Sequence, residues 1–567
     1  MIKKYKTLNI LLAGMVLMSG LFQACKDDDT PVLENTVKPG VNFVALTNTT
    51  SIHGGGQLVR YNSSNTSQLV GAAVGITGLA TGESIVAIDY RPATGQLYGL
   101  STASKLYILN PVNGAARAVS TTAFTPALTG TVAAFDFNPT VDRIRVVTTT
   151  GQNFRLNPET GTVVASDATI NGADGAFITG AAYSENYSGA TTTVLYDLDV
   201  AAKKLYKQDA NAGTLTEVGS LRLTPIVSTN ITSFSGAYNT NITTARTVAA
   251  GGFDIASNGV ALAVFQNNAQ PAIPVGGITA SPANPATAVS AVAGISTLFQ
   301  VNLEIGRATD LGVLFLPVPS GGIAATAIVG IAINTDPVAY ATDEANNLLT
   351  FNPNKPGTPL SKAITGLQAA ETVQGIDFRP STGVLYALGS TSRIYTINIA
   401  TGAATAVNVL PFVPTLSGTS FGFDFNPTTA ADNIKIVSNT GQNLTVSPAG
   451  VATLNTSIAA TAEITAAAFS SNAVPTTSTK LYVIDTKIDS LLEQNPSSGV
   501  LTRIGKLGIN TAVSNGFDIG GVSSTAYAVF TVGAVTKVYT ISLTNGSVTE
   551  KGILPSKVNG FTVGLGF

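Results

Sequence analysis

The chain repeats itself. Ile88-Asp89-Tyr90-Arg91-Pro92 recurs 288 positions later as Ile376-Asp377-Phe378-Arg379-Pro380, and Phe135-Asp136-Phe137-Asn138-Pro139-Thr140 recurs at the same shift as Phe423-Asp424-Phe425-Asn426-Pro427-Thr428. Internal periodicity limits a chain to architectures assembled from copies of one unit. Two homologous halves must reach the same fold by the same packing. Comparing them separates what the fold requires from what one copy alone carries.

A smaller unit lies inside each half. Ala87 to Arg91 reads as a strand, followed by Gln96 to Leu100, Lys105 to Leu109 and, across Asn113-Gly114, Ala115 to Val119. Such short alternating β-branched and aromatic runs, punctuated by Asn-Pro, Thr-Gly and Asn-Gly, predict antiparallel strands joined by tight turns. Four strands in about 40 residues is the size of a propeller blade. The unit recurs from Ala133, Thr179 and Gly252, while Phe43 to Val70 supplies three strands without a first one. In the second half Ile328 to Ile333 precedes Val338 to Ala341 as such a first strand, and the terminal Phe561 to Phe567 looks like another copy of it. The expectation is an all-β tandem β-propeller: two five-bladed rings of four-stranded antiparallel blades, each closed by a late strand, with one ten-bladed ring as the alternative.

The stretches Gly375-Ile376-Asp377-Phe378-Arg379-Pro380, Phe421 to Pro427, Asn515-Gly516-Phe517-Asp518-Ile519, and Ile364 to Leu367 ahead of Glu371 resemble the bacterial domain-of-unknown-function family 4394. The resemblance covers residues 41–320 and 321–567 in tandem. It implies a β-propeller-like fold and no established activity. The first half departs from the pattern at Tyr90 and has longer loops.

The N-terminus reads as an address. Lys3, Lys4 and Lys6 precede the apolar run Leu8 to Leu21, which ends at Ala24-Cys25. That run suits a signal h-region and is short for a membrane span. Residues 1–24 are expected to be a lipoprotein signal peptide and Cys25 the lipidation site. Lys26, Asp27, Asp28 and Asp29 resemble an acidic export signal at the head of a tether, 25–40. The expected location is the outer membrane, lipid-anchored through acylated Cys25 and exposed at the cell surface, with the periplasmic face as the alternative. Removing 1–24 leaves 27 basic and 32 acidic residues, a net charge of −5, and takes all three methionines. With no basic stripe, nucleic acid is not an expected partner. With Cys25 as the only cysteine, intrachain disulfides, thiol catalysis and cysteine metal sites are excluded. No cofactor is implied, and no metal-ligand motif is present.

The recurring carboxylates are the candidates for chemistry. Asp89, Asp136 and Asp254 occupy equivalent inner-strand places, repeated by Asp377, Asp424 and Asp518; Glu83 and Glu371 also correspond, as do Arg91 and Arg379. These ten residues are the expected channel-facing set. Three converging carboxylates suit glycosidic cleavage, with Glu83, Asp89 and Asp136 as the candidate acids, or a hard cation such as Ca²⁺. Against this, Asp89 and Arg91 share a strand face and can pair. Presence in both halves also favours a structural role that locks neighbouring blades. His53, the only histidine, has no counterpart in the second half. Comparing shifts of 286, 264 and 240 places extra segments of 22 and 24 residues around Thr224 to Ala250 and Asn267 to Ser296. The leading expectation is a binding or scaffold protein for an unknown protein or glycan ligand; the alternative is a carbohydrate-active hydrolase or lyase.

Overall fold

The computed structural model describes residues 38–48, 56–223, 248–267, 296–314, 327–428, 432–472, 476–511 and 513–567. Within them every helix or strand is a strand, and no helix is long and apolar enough to cross a membrane. The sheets are antiparallel and mostly four-stranded. A representative blade runs Ile85–Tyr90, Leu97–Ser101, Leu106–Leu109, Ala116–Ala118, paired in that order.

Local chemistry sets the turns. The outer hairpin of this blade starts at Asn110, whose side-chain oxygen accepts from the N–H groups of Val112 at 2.9 Å and Asn113 at 3.2 Å. It ends at Gly114, whose φ of +77° an L side chain resists. The same arrangement recurs at Asp209 with Gly213, Asn302 with Gly306, and Asn495 with Gly499.

The inner strands close into two cycles of five. In the first, Ile85–Tyr90, Val132–Asn138, Gly180–Tyr183, Val248–Ile255 and Ala327–Ile333 neighbour one another in that order, and the last lies against the first. In the second, Val373–Phe378, Phe421–Phe425, Ile464–Phe469, Val513–Ile519 and Val558–Val563 do the same. Each cycle is closed by a strand from later in the chain. Ala327–Ile333 pairs with Asn42–Asn48, Phe43 facing Ile333, and Val558–Val563 pairs with Ala339–Asp343, Ala341 facing Phe561. This departs from the expectation in one respect. Ile328 to Ile333 is not the first strand of the second half but the closing strand of the first ring. The rings therefore meet between Ile333 and Ala339, and a division at 320/321 separates a strand from its sheet.

Aliphatic and aromatic side chains fill the wedges between blades. Tyr98 meets Phe137 edge-on at 5.2 Å, and Tyr386 meets Phe425 likewise at 5.1 Å. Residues Lys38–Phe567 form one compact unit in which the rings touch. The Tyr340 hydroxyl donates to the carbonyl of Ala93 at 2.9 Å and sits 2.7 Å from that of Ser188. The N–H of Gly566 donates to Thr94 at 2.8 Å.

Candidate functional site

The repeated aspartates meet on the ring axes. One carboxylate oxygen each from Asp89, Asp136 and Asp254 lies within 4.8 Å of the other two, and Asp377, Asp424 and Asp518 repeat the cluster. All six side chains are buried. Each carboxylate reaches across a blade seam. Asp89 accepts from the N–H of Phe137 at 2.7 Å, Asp136 from Tyr183 at 2.9 Å, and Asp254 from Ile333. The second ring matches: Asp377 accepts from Phe425 at 2.7 Å, Asp424 from Phe469 at 2.9 Å, and Asp518 from Val563 at 2.7 Å. The two remaining blades carry Ala182 and Ala332 at this level in the first ring, and Ala468 and Thr562 in the second.

Three buried carboxylates this close cannot all be ionised. Burial lifts the Asp254 carboxyl to about 7 and the Asp518 carboxyl to about 6, against the pull of their backbone hydrogen bonds. The other four lie well above the ordinary carboxylate range, first through burial and then through a neighbouring aspartate charge. The rings differ in one detail. The Thr562 hydroxyl is 2.9 Å from Asp377 and 2.8 Å from Asp518. A hydroxyl has one proton to give. If it donates to one of these carboxyls, it can bond the other only by accepting a proton from it. Ala332 offers the first ring no such bridge. The all-oxygen set is chemically suited to a hard cation, but Ca²⁺ takes about six to eight oxygens, and the carboxylates already accept backbone N–H groups.

Glu83, Glu371, Arg91 and Arg379, expected to face the channel, are engaged elsewhere. Glu83 accepts from Lys105 at 2.7 Å and from the Tyr107 hydroxyl at 2.6 Å. Burial works to raise its pKa, and these hydrogen bonds outweigh that and bring it below its ordinary value. Glu371 accepts from the Thr391 N–H at 2.7 Å and the Tyr395 hydroxyl at 2.8 Å. Arg91 does not pair with Asp89: its Nε donates to Asp142 at 2.8 Å, and it also meets Glu159 at 3.2 Å. Arg379 donates to Asp432 at 2.7 Å. On each strand the aspartate faces the axis, whereas the arginine two residues on has already left the strand and enters the turn. Cys25, Lys26, Asp27, Asp28, Asp29 and His53, with most of both extra segments, lie outside the described residues.

The rings diverge most in the channel beside the aspartates. The first ring encloses a cavity of about 410 Å³. The corresponding space in the second is about 10 Å³. Two lining positions explain the direction of the difference: Ala133 and Ile331 correspond to Phe421 and Phe561. The aspartates are not among the lining residues, whereas Ile88, Phe135 and Phe253, which immediately precede them in sequence, are. Nor, among the described residues, does any charged side chain line this cavity. Sequence reasoning missed the contrast although the signal was present, since the 288-residue shift aligns Ala133 with Phe421 directly. It also missed the buried Arg145, which meets Asp167, donates to Asn153 at 2.7 Å, and becomes Lys435 beside Asn455 in the second ring.

Comparison with known proteins places the chain in a family. The model for the family described as "Domain of unknown function (DUF4394)" matches residues 57–324 and 347–562, and the chain belongs to that family. No curated protein matches it. A chain from the crystal structure of a nidogen/laminin complex is similar at 12% identity with a TM-score of 0.28, over 41% of this chain and 98% of that one.

Proposed function

We propose that this tandem DUF4394 protein is an extracytoplasmic binding protein, lipid-anchored through Cys25 in the outer membrane, that takes its ligand in the axial cavity of the first ring. The observation that carries this reading is the asymmetry of the channels. About 410 Å³ falls within the range of small-molecule sites, whereas the second ring has closed the same space around bulkier side chains. Two copies under the same folding requirement would keep equal channels if the opening served packing alone. The carboxylate triads are present in both rings, buried and hydrogen-bonded across seams, which supports a structural role for them. The anchor is supported by the basic start, the apolar run and the position of the only cysteine.

The cavity reading is tested by a thermal-shift screen of the mature protein against glycans, peptides and small lipophilic compounds. Hits are then repeated on Ala133→Phe/Ile331→Phe, which installs the second ring's residues. Ligands that stabilise the parent and not the filled variant support the reading, provided the variant keeps its circular dichroism. Hits that bind both proteins equally overturn it. The anchor is read separately, by mass spectrometry for acylation of Cys25.

A further inference from the structure

The chemical class of the ligand follows from a second difference between the channels, an inference that rests on the first-ring cavity being the binding site. Val86, Val132 and Val329 line that cavity and are half-buried. The matching positions of the second ring are Gln374, Ser420 and Asn559, also half-buried. Where the channel is closed, these partly exposed positions carry polar side chains, as water contact favours. Where it is open, all three carry valine. Val86 and Val132 pack in part on one core cluster and Val329 on another. The apolar surface that each still exposes forgoes the gain from leaving water, and a concavity that mixes such surface with polar groups suits a ligand.

Charge decides the rest. Among the described residues no charged side chain lines the cavity, and the aspartates of the same inner strands are buried and do not line it. An ionic ligand would lose its hydration and find no counter-charge among these residues. The hydroxyl residues Ser84 and Thr131 stand where the inner strands begin and line the same cavity, so a polar end of the ligand has hydrogen-bonding partners. We infer that the first ring binds a small uncharged amphiphile, its apolar body against the three valines and its neutral polar end toward Ser84 and Thr131.

The test uses the mature protein and the neutral fluorophore N-phenyl-1-naphthylamine, displaced in turn by 1-decanol, decanoate and decylammonium. Saturable fluorophore binding is expected, with decanol displacing at least tenfold more effectively than either ion. Val86→Gln/Val132→Ser/Val329→Asn should weaken fluorophore binding at least tenfold. Those residues already occur in a folded copy, and circular dichroism checks that the variant folds. Equal or better displacement by an ion overturns the ligand class and leaves the cavity reading standing. Fluorophore binding unchanged by both the valine replacements and the Ala133→Phe/Ile331→Phe filling overturns both. Binding lost on filling but indifferent to the valines overturns the assigned contact surface alone.

Discussion

A single residue type, aspartate, is placed six times where its charge is hardest to keep. Its use there is hydrogen bonding: a carboxylate offers two acceptor oxygens, so one aspartate can satisfy its own strand and the next blade. Asp89 does both, accepting from Tyr90 and Phe137, each at 2.7 Å. The cost is a proton dependence of known sign. Asp254 is raised by burial to about 7, whereas an unfolded aspartate titrates near about 3.9. Between these values the folded state holds the proton and the unfolded state has released it, so this group's contribution is greatest below pH 4 and declines as pH rises to 7. Asp254→Asn should therefore lower stability at acidic pH, by removing one acceptor oxygen, and should flatten the decline between pH 4 and 7. Chemical denaturation of both proteins across that window checks it. A variant whose slope matches or exceeds the parent's would show that Asp254 is ionised throughout.

At the scale of elements, the outer hairpins do two jobs with one motif. Asn398 accepts from Thr401 at 2.9 Å to shape the turn, and Gly402 closes it at a φ of +77°. The turn then packs on the preceding blade, bridging Thr365 to Ala403. A Cβ on Gly402 would meet the Ala363 carbonyl at 2.4 Å. Gly402→Ala is thus opposed by both conformation and contact. It should cost about 1–3 kcal/mol, seen as a lower melting temperature; a neutral or stabilising effect would mean the backbone shifts freely there. These elements were legible in the sequence because strand and turn signals are local: alternation, the Asn-Pro, Thr-Gly and Asn-Gly turns, and repetition across blades. Side-chain partners were not. Arg91 sits two positions from Asp89 but meets Asp142, which lies 51 residues on, and no spacing rule reaches that far. The placement of the Asp89 side chain was readable because alternation fixes which face a side chain takes. That it would bond across a seam rather than to its neighbour depends on the approach of the next blade.

For the whole molecule, the closing strand decides what a domain is. The family match ends at 324 in the first half, yet the first ring is completed by Ala327–Ile333. Periodicity could not assign this strand, because either ring can accept it and the sequence of the copies is the same kind in both. The structure gives it to the first ring, and the consequences are energetic. Ile328, Ile331 and Ile333 are buried against Phe43, Tyr61 and Leu298. At about 1.5–3 kcal/mol for each large aliphatic side chain, they represent much of the roughly 5–15 kcal/mol that holds a domain together. Without the strand, Asn42–Asn48 becomes an unpaired edge and Asp254 loses the N–H of Ile333. A fragment of residues 38–335 should therefore melt cooperatively, at a somewhat lower temperature than the full chain because the Tyr340 and Gly566 contacts to Ala93 and Thr94 are gone. A fragment of residues 38–320 should show no cooperative transition and should aggregate through its open edge. Differential scanning calorimetry on the two fragments separates the outcomes. Equal cooperative melting of both would mean that closure contributes little and that the first ring is held by its blade wedges alone.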